Sequence, residues 1–150
     1  LDSRPILLVE DNPHDIELTL AALEASKFAN EVVVARDGAE ALDYLFRRGA
    51  FAGRSAADPC VILLDLKLPK VDGLEVLATL KGDRGLRNIP VVVLTSSREE
   101  SDVVATYRLG TNAYVVKPLG FDDFLDAVRD LGDFWGVTNM APRVFTGEPV

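Results

Sequence analysis

The chain has 150 residues, of which 48% are apolar and 27% charged, with one cysteine and a formal net charge of −8. That length suits a single domain with a full core, while the longest apolar run is a strand's length and excludes a bilayer-spanning helix. The acidic balance, with no basic cluster beyond Arg47-Arg48, argues against direct nucleic-acid binding, which needs cations to neutralise phosphates. Leu1-Asp2-Ser3-Arg4 carries no signal-peptide pattern, and lone Cys60 leaves no internal disulfide; both point to a cytoplasmic chain.

The first strand-like run is Ile6-Leu7-Leu8-Val9. From Pro13 to Ser26, Ile16, Leu20 and Leu23 share one helical face. Val32-Val33-Val34-Ala35 predicts a second strand, and Asp37 can cap a helix whose apolar stripe is Ala41, Leu42, Leu45 and Phe46. Gly49 to Pro59 reads as a long, mobile connection. Val61-Ile62-Leu63-Leu64 is the third strand, ending at Asp65, after which Asp72-Gly73 opens a helix carrying Leu74, Val76, Leu77 and Leu80. Val91-Val92-Val93-Leu94 is the fourth. It leads into a helix from about Arg98 to Leu109, stopped by Gly110 as a left-handed cap. Ala113-Tyr114-Val115-Val116 is the fifth strand, and Phe121, Phe124, Leu125, Val128 and Leu131 give a fifth helix.

Successive βα units require parallel strands joined by right-handed crossovers, with helices on both faces. The first, third and fourth strands have few polar residues and suit the centre, leaving the second and fifth for the edges. The expectation is a flavodoxin-like, doubly wound α/β fold, with a five-stranded parallel sheet in the order 2-1-3-4-5 and five helices.

In such a sheet, ligands bind in the crevice beyond the carboxyl ends of the strands. Glu10-Asp11, Asp65, Thr95 and Lys117 all stand there. Taken singly, each has an ordinary reading: an acidic pair or a threonine caps the next helix, and Lys117-Pro118 is a turn. Jointly they gather three carboxylates, a hydroxyl and an ammonium at one rim. Two like charges about 4 Å apart repel by roughly 4 kcal/mol at an effective dielectric near 20, so such a cluster implies a cationic occupant. Mg²⁺ suits it, preferring oxygen ligands and commonly taking one or two carboxylates with a phosphate oxygen. A carboxylate nucleophile suits phosphoryl transfer through an aspartyl phosphate.

These residues carry a family resemblance. Val9-Glu10-Asp11, the run from Asp65 to Gly73, Leu94-Thr95-Ser96 and Tyr114-Val115-Val116-Lys117-Pro118 resemble a response-regulator receiver domain, over about residues 5 to 133. The resemblance implies that Asp65 accepts a phosphoryl group from a phosphohistidine on a sensor histidine kinase. It implies Mg²⁺ held by Glu10, Asp11, Asp65 and the backbone carbonyl of Lys67. Thr95 and Lys117 would engage the phosphoryl oxygens, the Lys117-Pro118 bond would be cis, and Thr95 with Tyr114 would form a switch. Glu10 stands where aspartate is more usual, and Lys67 puts a long cation beside Asp65. Val9 to Asp15, Arg47-Arg48-Gly49 and Asp133-Phe134-Trp135 are similar to the single-domain regulators paired with bacterial phytochrome kinases.

The implied layout is a receiver over residues 1–136 and an extension over 137–150, without a separate output domain. The signal would then leave through protein contacts on the fourth helix, fifth strand and fifth helix, with Phe134 and Trp135 as candidate interface residues of a homodimer. Phe134 and Trp135 covering the domain's own base is the other reading. Two functions compete. A haloacid-dehalogenase-type phosphatase also uses a strand-end aspartate with Mg²⁺, but places a second aspartate where Lys67 stands. A receiver-like binding module that is never phosphorylated is the other. A nucleotide or flavin carrier would need a glycine-rich loop after the first strand.

Overall fold

The computed structural model describes residues 4–25, 30–54, 57–96 and 99–117, with Asp122, Asp123 and Asp126 beyond them. Short runs rich in valine, isoleucine and leucine form the strands β1 (Ile6–Val9), β2 (Val32–Ala35), β3 (Val61–Leu64), β4 (Val91–Thr95) and β5 (Ala113–Val116). They alternate with α1 (Pro13–Ala25), α2 (Gly38–Phe46), α3 (Gly73–Gly82) and α4 (Glu100–Arg108). All strand pairs are parallel, in the order β2-β1-β3-β4-β5. This is the order expected from polarity: β1, β3 and β4 are buried throughout, whereas β5 is half-buried along its whole length.

Side chains alternate across a strand, and the core divides accordingly. Leu7, Val9, Ile62 and Leu64 pack with Val76, Leu77 and Leu80 of α3 and Leu45 of α2 on one face. Ile6, Leu8, Leu63 and Val92 pack with Ile16 and Leu23 of α1 on the other. The apolar residues of the expected fifth helix, Phe121, Phe124, Leu125, Val128 and Leu131, lie outside the described residues, as do Phe134, Trp135 and residues 137–150; Asp122, Asp123 and Asp126 are helical. No helix among the described residues is long and apolar enough to cross a membrane.

Local chemistry sets the helix boundaries. Asp37 accepts from the Glu40 N–H at 2.7 Å and Asp72 from the Leu74 N–H at 2.8 Å, capping α2 and α3. α4 begins at Glu100, later than expected, and Gly110 beyond its end takes a φ of +95°. The described part of the connection after α2 holds a 3-10 turn at Gly49–Phe51, and Arg54 ties it to α2. The Arg54 guanidinium lies 4.1 Å from the Tyr44 ring centroid, its Nε donates to the Tyr44 carbonyl at 2.9 Å, and it pairs with Asp58 at 3.1 Å. Tyr44 thereby joins the buried face of α2, from which Leu42 and Phe46 stand half-exposed.

The loop from Leu66 to Asp72, which follows the critical third strand, is held at both ends by close backbone approach. A Cβ on Gly38 would stand 1.8 Å from the Val71 carbonyl oxygen, and one on Gly73 2.3 Å from that of Asp65. Neither obstacle is a flexible side-chain end. Gly73→Ala therefore forces α3 off β3 and lowers stability by about 3 kcal/mol, read by urea denaturation; a loss under about 1 kcal/mol would mean that the loop yields.

Candidate functional site

The sheet ladder runs one residue past β1, β3 and β5. The Glu10 N–H donates to Ala35 at 2.9 Å, the Asp65 N–H to Val9 at 3.0 Å, and the Lys117 N–H to Thr95 at 2.8 Å. Register fixes who meets whom: Val9 lies level with Leu64, and Thr95 with Val116. The next residues, Glu10 with Asp65 and Lys117 beside Thr95, are therefore delivered to a common rim. Sheet geometry alone accounts for the convergence.

Asp65 is 7% exposed and both of its oxygens are engaged. The Thr95 hydroxyl donates to Oδ1 at 2.7 Å, with the Lys67 N–H on the same oxygen at 3.3 Å. The Lys117 ammonium donates to Oδ2 at 3.1 Å. Glu10, 2% exposed, accepts from Lys117 on Oε1 and from the Asn12 N–H on Oε2 at 3.3 Å. Asp11 is exposed and completes a set of three carboxylates whose ligand atoms lie within 4.8 Å of one another.

Charge is unbalanced here. Burial pushes the Glu10 carboxyl up to about 7; the hydrogen bond from Lys117 opposes the rise and the Asp65 charge adds to it. Burial pulls Lys117 down, but hydrogen bonds to Glu10 and Asp15 and the charge of Asp65 outweigh it, leaving the ammonium held above its ordinary value. The two directions agree: several acids share one ammonium, which raises Lys117, while burial and the neighbouring charge raise the deepest acid.

The structure thus brings Glu10, Asp11, Asp65, Thr95 and Lys117 together. Lys67 contributes its backbone beside Asp65, while its side chain leaves for α4 and pairs with the largely buried Asp102 at 3.3 Å. Tyr114 is half-buried in β5, level with Val93 rather than with Thr95. The Lys117-Pro118 bond lies outside the described residues. Asp15, in the first turn of α1, has no site role in the sequence pattern, yet its Oδ2 accepts from Lys117 at 2.9 Å. Its signal was faint: an acid four residues past Asp11, at a helix start where acids are ordinary.

Comparison with known proteins agrees with this geometry. The protein-family model described as the response regulator receiver domain matches residues 6–129. The response regulator Rcp1 of Synechocystis sp. is 42% identical over 137 residues, covering 91% of this chain and 92% of its own length. A crystal structure of the Mn²⁺-bound form of Rcp1 superimposes with a TM-score of 0.86 at 41% identity, covering 93% of this chain and 99% of that one. The phosphorylated cyanobacterial phytochrome response regulator RcpA gives a TM-score of 0.88 at 43% identity, covering 94% and 99% of the two chains. The bacteriophytochrome response regulator AtBRR is 65% identical with a TM-score of 0.76, covering 93% and 99%.

Proposed function

The chain belongs to the response regulator receiver domain family, and on that footing we propose that Asp65 accepts a phosphoryl group from a histidine kinase. One observation carries the reading: a strand-end carboxylate with Thr95 on one oxygen and Lys117 on the other, beside Glu10 and Asp11. In the transfer, an Asp65 oxygen forms a bond to phosphorus as the bond from phosphorus to the kinase imidazole nitrogen breaks. The electron pair of that bond leaves with the imidazole. Lys117 and the Thr95 hydroxyl, already on Asp65, are placed to receive the charge of the incoming phosphoryl oxygens.

The donor set fits a hard divalent cation: every side-chain donor is a carboxylate oxygen, and the acids outnumber the one ammonium among them. Glu10, Asp11 and Asp65, with the Lys67 carbonyl, would hold Mg²⁺. When bound, it supplies the neutralisation that the clustered acids and the phosphoryl oxygens both require. A phosphatase is disfavoured, since a second acid is absent at Lys67, whose ammonium is turned onto Asp102.

The likeness to phytochrome response regulators supports a bacterial phytochrome kinase as the partner. We infer that the output is a protein contact made by α4, β5 and the fifth helix of the sequence expectation, governed by Thr95 and Tyr114, in a cytoplasmic homodimer that uses this face with Phe134 and Trp135. The protein would promote only its own phosphorylation and dephosphorylation.

Incubation with Mg²⁺ and a small acyl phosphate tests the central step by intact mass. A hydroxylamine-labile phosphoryl adduct that fails to form with chelator present is the expected result. An unmodified chain, or sustained turnover of phosphate esters, would overturn the reading.

A cation at Glu10 requires its carboxylate form. Because the Glu10 carboxyl sits at about 7, protons compete increasingly below that pH. Mg²⁺ affinity is expected to be about tenfold weaker at pH 6 than at pH 8, measured by titration calorimetry; equal affinities would place the proton elsewhere.

A further inference from the structure

We propose that Asp15 is a positioning residue: by sharing the Lys117 ammonium and anchoring it toward α1, it lessens the competition of that ammonium with a divalent cation for the oxygens of Glu10 and Asp65. The inference rests on the phosphoacceptor reading above. A lysine ammonium has three N–H donors and no acceptor. Here they serve Glu10 Oε1, Asp65 Oδ2 at 3.1 Å and Asp15 Oδ2 at 2.9 Å. Two of these partners belong to the carboxylate set that could hold a metal; Asp15 does not. An ammonium resting on Glu10 and Asp65 alone would compete with the cation for the same oxygens. The third contact, on a separate element, anchors it to one side.

Asp15 is built for this task. Its N–H donates to Asn12 Oδ1 at 3.1 Å, and its carbonyl accepts from the buried Thr19 hydroxyl at 2.8 Å. The backbone beneath the carboxylate is therefore fixed on both sides. Its side chain is also the most hydrated of the three, 29% exposed against 3% for the side chain of Glu10 and 8% for that of Asp65. It can hold the ammonium without adding a further desolvated acid to the rim.

A mere excess of negative charge would also favour cation binding, and a double-mutant cycle separates the two. Mg²⁺ is titrated calorimetrically into wild type, Asp15→Asn, Lys117→Ala and the double variant. The expected result is that Asp15→Asn weakens binding about tenfold when Lys117 is present and by less than about twofold when residue 117 is alanine. Asp15→Glu, which keeps a carboxylate, should fall between wild type and Asp15→Asn. Lys117→Gln replaces Lys117→Ala should the latter not fold. Equal weakening in both backgrounds, or none in either, overturns the role of Asp15 alone. A wild-type chain that binds no Mg²⁺ overturns the phosphoacceptor reading together with this one.

Discussion

Asp65→Asn protein incubated with Mg²⁺ and acetyl phosphate is expected to keep its unmodified mass, under conditions that phosphorylate wild type. The amide has no lone pair of carboxylate basicity to offer phosphorus, so the rate should fall by more than about a thousandfold. The fold should survive. An asparagine Oδ1 still accepts from the Thr95 hydroxyl and the Lys67 N–H, the two donors that Asp65 Oδ1 serves. Its Nδ2, however, would face the Lys117 ammonium donor to donor, losing the contact made by Oδ2. That loss is offset by removal of the Asp65 charge, which raises the Glu10 carboxyl. Near-wild-type circular dichroism with no adduct is the expected combination. Retained phosphorylation would place the acceptor at another side chain.

Lys117→Ala has the larger structural effect. It strips the buried carboxylates of Glu10 and Asp65 of the ammonium they share, and breaking a buried pair from one side typically costs about 3–5 kcal/mol. The pH dependence has a definite sign. The folded-state Glu10 carboxyl, at about 7, lies above its ordinary value of 4.5. The stability it contributes is therefore full below the ordinary value and is lost as pH rises through the folded one. Lys117 holds that carboxyl down through its hydrogen bond and charge, so its removal moves the folded value higher and deepens the loss at pH 8. Urea denaturation of metal-free Lys117→Ala should show a large deficit at pH 8, a smaller one at pH 5, and recovery on adding Mg²⁺. A deficit indifferent to both pH and Mg²⁺ would mean that only packing of the lysine stem was lost.

The strands and their order were legible because burial on both faces leaves β1, β3 and β4 almost wholly apolar, and parallel crossovers have one hand. Glu10, Asp65, Thr95 and Lys117 were legible for a related reason: each is the first polar group at or after an apolar run. What escaped is longer in range. Asp15 resembles any acid in the first turn of a helix, and its role depends on Lys117, a partner a hundred residues away that only the sheet brings near. The Lys67–Asp102 pair joins a loop to α4, and neither position shows a periodic signal. Arg54 lies in a stretch whose composition suggests a mobile loop, yet its side chain is only 5% exposed, stacked on an aromatic ring from the preceding helix. Patterning reveals which side chains are buried; it does not reveal which charged groups go with them.

Glu10, Asp65 and Lys117 take their backbone hydrogen bonds from neighbouring strands. The reactive cluster is in that respect part of the sheet's own scaffolding. Moving Asp65, the proposed acceptor, off its place requires parting β3 from β1, two central strands, an opening that costs more than loop motion. Of the proposed site, Asp65 rests on the buried centre of the sheet, while Lys117 reaches it from the half-buried edge strand β5.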